Sequence, residues 1–188
     1  MKGALAIGGW LLAALAQAQC PASGRVTYQG RSYAVAQVAG QCWFAENLAA
    51  TAFSNGDAVP FVDDPDQWNP GEPVASGRAG TPKRDSTLVP VHGLFYNGYV
   101  VLDERGICPE GWRVPSHADW VRLEIALGCG ESVAETFGFR GGVHGDLLKR
   151  SLPGFDEWGG ADRVGWGAMP SGFRTAAGGD FNFGDSGF

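Results

Sequence analysis

Cys108-Pro109-Glu110-Gly111-Trp112-Arg113-Val114-Pro115-Ser116-His117-Ala118-Asp119-Trp120 is the stretch around which the chain is organised. Pro115 disfavours helix at Val114, so the chain arrives extended. Ser116 is a good N-cap, and Asp119, three residues on, has the capping-box spacing with a shorter carboxylate than the usual Glu. The spacing predicts a main helix over 117–127, ended by Gly128, which tolerates a left-handed C-terminal turn. On that helix Trp120, Val121, Leu123, Ile125 and Leu127 form an apolar arc with Glu124 inside it. A carboxylate there needs a partner, and the reading assigns it Arg113, Arg174 or backbone amides of a buried loop, against the alternative of an edge open to water.

Outward from this stretch, Arg25 onward is strand-like. Val26, Tyr28, Tyr33, Val35 and Val38 flank Gln29-Gly30-Arg31, which reads as a hairpin turn. Gln41-Cys42-Trp43-Phe44-Ala45-Glu46-Asn47-Leu48 continues as an apolar element running into a turn. Asn55 to Val91, rich in Pro, Gly, Asp and Ser, reads as one long excursion, of the kind that carries function or moves. Gly93 to Leu102 reads as a buried strand by its aromatic and β-branched content. Glu131 to Phe137 is expected to form a second, shorter helix. From Gly141 on, glycine alternates with aromatics, which suits short curled strands and tight turns.

At the start of the chain, Met1-Lys2, the apolar run Ala4 to Ala16 and the small-x-small site Ala16-Gln17-Ala18 read as a signal peptide over 1–18. The residues before Cys20 do not suit a lipobox, so plain export is expected, with a secreted, extracellular or cell-surface location and one domain over 19–188. Loss of Lys2 takes the formal charge from −6 to −7, which argues against nucleic acid and anionic membrane as partners. No later apolar run could insert into a membrane after signal cleavage.

Export makes Cys20, Cys42, Cys108 and Cys129 a disulfide set with three connectivities. The local pairing, Cys20–Cys42 with Cys108–Cys129, is preferred; each closes a loop of about twenty residues, worth roughly 3 kcal/mol. None has metal-site spacing. A nucleophilic cysteine served by a histidine is the competing role.

Five blocks look like one family: Gln41 to Leu48 after the hairpin, Gly93 to Asn97, Ile107 to Ser116, Gly141 to Leu148, and Met169-Pro170-Ser171-Gly172-Phe173-Arg174. Together and in this order they resemble the Fibrobacter succinogenes major paralogous domain. The resemblance implies an exported bacterial domain, a C-type-lectin-like α+β fold of short twisted antiparallel strands around one main helix with long loops, and recognition rather than a known reaction. The helix entry is also similar to that of formylglycine-generating-enzyme relatives. The family pattern continues past this point with a Trp-Ser-Ser block and a Ser-Val-Arg-Cys strand, whereas this chain stops at Asp185-Ser186-Gly187-Phe188, so truncation is expected. The absent terminal cysteine would be the partner of Cys108, leaving Cys129, where relatives often carry Met, a substitute or an orphan.

Asp66-Gln67-Trp68-Asn69-Pro70-Gly71-Glu72-Pro73 resembles the loop by which C-type lectins hold calcium and sugar hydroxyls, although here it precedes the helix. Asp63, Asp64, Asp66, Asn69 and Glu72 supply oxygens for a calcium ion, the one cofactor offered, or form a solvated acidic loop. Trp68 and Trp158 are the candidate indoles for stacking on a sugar; Trp43, Trp112, Trp120 and Trp166 read as core. No catalytic residue is assigned. There is no H-E-x-x-H, G-x-S-x-G or P-loop, and His92, His117 and His144 are scattered. The expected function is non-catalytic recognition of an extracellular ligand, with a glycan as the candidate. A structural or adhesive module contacting surface proteins, or a truncated, non-functional paralogue, is the alternative.

Overall fold

Two tight turns build the N-terminal sheet. Strand β1 (Arg25–Tyr28) and strand β2 (Arg31–Val38) pair antiparallel, with Val26 opposite Tyr33, across Gln29 and Gly30. Both turn residues have positive φ, 48° and 75°, as the tightest hairpin turn requires. Ala39 and Gly40 repeat the device at 55° and 72° and lead into β3 (Gln41–Phe44), which sets Ala36 opposite Trp43. The expected hairpin is therefore present, and a third strand follows it. In the computed structural model the described residues are 20–68, 76–138, 143–152 and 159–181. The expected signal peptide at 1–18 lies outside them.

The long excursion is a series of small, tied-down elements: helix α1 (Pro65–Trp68), strand β4 (Ala79–Gly80), two 3-10 turns and helix α2 (Val89–His92). Arg31 reaches across from β2 and donates to the carbonyls of Val89 and Pro90 at 3.1 and 2.8 Å, fixing α2 to the sheet. The strand expected over Gly93 to Leu102 is shortened to β5 (Phe95–Tyr96), paired with β4. It stops because the Asn97 side chain accepts from Val100 N at 3.2 Å and caps a helical turn, α3 (Gly98–Val101). A local cap overrides β propensity here.

The main helix is α4 (His117–Ala126), with the capping box of Ser116 and Asp119 formed in both directions. Gly128, at φ 98°, ends it: Gly128 N donates to Ile125 O at 3.0 Å and Cys129 N to Glu124 O at 2.9 Å, a Schellman turn. Helix α5 (Glu131–Ala134) is shorter than expected. Past Gly141, where no helix is expected, the chain forms α6 (Val143–Leu148), then β6 (Phe173–Arg174) paired with β7 (Asp180–Phe181). The fold is thus α+β: small antiparallel sheets with several short helices around one longer helix. No helix among the described residues is long and apolar enough to cross a membrane.

Two apolar clusters dominate. Ala50, Phe53, Val59, Ala79, Leu94, Val100 and Ile107 gather beneath the loops, and Ala36, Val38, Trp43, Ala45 and Leu123 join the sheet to α4. A satellite of Val121, Cys129 and Ala134 joins α4 to α5. Cys20 and Cys42 form the expected disulfide, which ties the entry of the domain to β3. The second expected bridge is absent: Cys108 packs at the edge of the first cluster and Cys129 inside the satellite, so each remains a thiol. Burial pushes the Cys108 thiol pKa up.

Candidate functional site

The residues after Pro115 build one wall of a cleft. Asp119, buried at the start of α4, accepts from Ser116 N at 2.7 Å and from Gln41 Nε2 of β3 at 2.9 Å. It also takes a two-pronged contact from Arg113, Nη2 to Oδ1 at 2.7 Å. The Arg113 guanidinium, and then the Ser116 hydroxyl, hold this carboxyl far below the usual aspartate range. One carboxylate thereby fixes the extended arm, the helix start and the edge of the sheet in a single geometry.

That geometry aligns three indoles. Trp43 of β3 lies 5.2 Å from Trp120 of α4 and 5.0 Å from Trp166, and Trp120 and Trp166 stack at 5.8 Å with planes 21° apart. Trp120, expected in the core, is 40% exposed and forms the open face of the stack. Trp43 is buried, and its Nε1 has no hydrogen-bond partner among the described residues. On the other face of β3, Phe44 meets Tyr33 and Trp112 edge-on at 5.2 and 4.5 Å. The indoles line one side of a cleft of about 930 Å³ between the sheet, α2 and the segment 166–172.

A polar knot lines the same cleft. Asn47 Nδ2 donates to Ser171 Oγ at 2.9 Å and to His92 O at 3.1 Å, and His92 Nδ1 lies 3.0 Å from Ser171 Oγ. Burial lowers the His92 pKa, which favours a neutral imidazole able to accept the Ser171 hydroxyl proton at Nδ1. Gly93 is required beside it. At φ 68°, a Cβ there would sit 2.6 Å from the Leu48 carbonyl. Apolar walls with a few convergent polar groups are the usual composition of a small-ligand site. None of these cleft residues was singled out as a site from the sequence, because Asn47, His92 and Ser171 come from three distant segments.

The residues that were singled out lie elsewhere. Trp68 is 3% exposed, beneath the Arg174 guanidinium at 4.7 Å, so it cannot serve as an open stacking surface. Trp158, Asn69 and Glu72 lie outside the described residues. Asp63 accepts from Thr81 N and Oγ1, both at 2.7 Å, and faces Arg174 at 3.6 Å. Asp64 accepts from Asp66 N at 3.0 Å and Gln67 Nε2 at 2.9 Å, while Asp66 is exposed. The cation that Asp63 already meets is thus an arginine. The Arg174 side chain is almost wholly buried, held by Asp180 Oδ2 at 3.2 Å and the Thr81 carbonyl at 2.6 Å.

Both arginines assigned to Glu124 are therefore engaged with aspartates, Arg113 with Asp119 and Arg174 with Asp180. Glu124 is half-buried in the last turn of α4, beside Cys129 and His144.

The blocks that build this cleft also carry the family relationship. The model of the Fibrobacter succinogenes major domain matches residues 36–188. The chain belongs to this family. The match begins within β2 of this Fibrobacter succinogenes major domain, takes in Trp43, the Cys108 to Trp120 stretch and Ser171, and bears out the resemblance read from the sequence. Searches of curated proteins and of solved structures return no match.

Proposed function

We propose that this major domain is an exported, non-catalytic recognition module of C-type-lectin-like architecture that binds an extracellular glycan in the cleft. One observation supports this above the rest: an exposed indole, Trp120, braced by two others, shares a concavity with Asn47, Glu46, His92 and Ser171. A pyranose ring offers an apolar C–H face and equatorial hydroxyls, and an indole plane beside amide, imidazole and hydroxyl groups complements both. The rigid brace matters because an immobilised aromatic loses little entropy on binding. Calcium, if used, would be held in the Asp63–Asp66 loop, where it would compete with Thr81 and Arg174 for Asp63.

Adhesion to a surface protein is the second reading, favoured by apolar groups on the other flank of α4. Phe137 is 96% exposed and stacks on His117 at 6.1 Å, with Val133 and Ile125 also exposed.

The test is thermal unfolding of the secreted chain, with tryptophan fluorescence, against a panel of plant and microbial glycans. A glycan that raises the transition and is lost with Trp120→Ala, but kept with Phe137→Ser, is the expected result. A panel that moves neither signal overturns glycan binding; capture of a surface protein that Phe137→Ser abolishes would establish adhesion in its place.

A further inference from the structure

Glu124, Cys129 and His144 have no spacing that a metal motif would show, yet the fold brings them together. Their ligand atoms all lie within 4.8 Å of one another. The Schellman turn produces the first half of this arrangement. It folds the chain back over the last turn of α4, carrying Cys129 to the side of Glu124 while Cys129 N bonds the Glu124 carbonyl. The first turn of α6 then presents His144 from a separate segment. Cys129 is buried and both partners are half-buried, so the site has a closed thiol side and a more open carboxylate–imidazole side.

We propose that these three residues form a binding site for a borderline-soft divalent transition metal, zinc above all, that clamps the C-terminal end of α4 to α6. The donor set selects the ion. Calcium and magnesium take oxygen ligands only, whereas thiolate, imidazole and carboxylate are the three ligand types of zinc proteins. Three protein ligands leave a fourth position of the tetrahedron for water or a ligand group. Ligand atoms around tetrahedral zinc stand about 3.5 Å apart, so binding draws the present arrangement inward by about an ångström. On binding, the Cys129 thiol gives its proton to solvent and its sulfur becomes the metal-bound thiolate; no redox change occurs. None of the three residues lines the cleft, although α6 borders it through Gly145 and Leu148, and the metal site rests on its own donors whatever the cleft binds.

The experiment uses the secreted chain with its disulfide intact, titrated with zinc in competition with a chromophoric chelator, and in parallel with cobalt. Zinc is expected to bind in one equivalent and to raise the unfolding temperature by about 5 °C at saturation. Cobalt is expected to show the near-ultraviolet thiolate-to-metal band and the intense visible bands of a tetrahedral site. Cys129→Ser should abolish the thiolate band, His144→Gln should abolish tight binding, and Cys108→Ser should leave both intact. His144→Gln, at a half-buried helix start, keeps the test decisive should Cys129→Ser unfold the chain. No zinc-induced stabilisation, a cobalt spectrum without the thiolate band, or binding that survives both Cys129→Ser and His144→Gln overturns the site.

Discussion

The sheet-and-helix half and the Arg174 knot hold themselves together by opposite means. In the first, β1 to β3 and α4 are specified by neighbours in sequence: two glycine-containing turns, a serine–aspartate capping box and a glycine C-cap. The sheet then meets α4 through a small apolar cluster around Trp43 and Leu123 and one buried carboxylate, Asp119, while the disulfide ties the chain entry to β3. In the second, residues 62–68, 78–84 and 173–180 have little regular structure, and one guanidinium joins all three. Arg174 binds Asp180 within its own hairpin, the Thr81 carbonyl 93 residues back, and the ring of Trp68. Where local turn chemistry is strong, tertiary contacts finish a shape already biased. Where it is weak, a buried charge with many acceptors supplies the shape, and its loss leaves several groups unpaired at once.

The sharpest way to break the contrast is Arg174→Met. It leaves Asp180, 8% exposed, without its partner, and should cost about 3 kcal/mol or more in urea unfolding. Hydrogen exchange should rise first around 62–84, with β1 to β3 still protected; uniform loss across both regions would show that they unfold as one unit. Replacing Cys20 and Cys42 together by serine should cost about 3 kcal/mol or slightly less, with the loss concentrated in β1 to β3.

Asp119→Asn should cost about 2 kcal/mol, since a charge-assisted pair with Arg113 and two hydrogen bonds from Ser116 are weakened together. The pH dependence sharpens this. The folded-state pKa of Asp119 lies well below its unfolded value, so its contribution is complete above about pH 4 and is lost as pH falls through the folded value. The wild-type chain should therefore lose stability on acidification below about pH 4 by a component that Asp119→Asn lacks. Parallel acid curves for the two proteins would remove Asp119 from the account.

Local signals in the sequence determined a good deal: the hairpin, the extended arm before Pro115, the capped helix and its end at Gly128, and family membership. Each depends on residues a few positions apart, or on blocks whose order is itself visible. The same local reading carried Gly93 to Leu102 through as a strand, because nothing near it in sequence showed that Asn97 would turn its amide oxygen onto Val100 N. Tertiary structure alone decided which indoles face water, so that Trp68 is covered by an arginine 106 positions later while Trp120 is open. It alone decided that Cys108 and Cys129 belong to different clusters, that Asn47, His92 and Ser171 meet, and that Glu124, Cys129 and His144 gather. The physical reason is the same in each case. Turns and caps are written in short-range backbone chemistry, whereas exposure and side-chain convergence depend on how distant segments pack, and no short-range pattern encodes that.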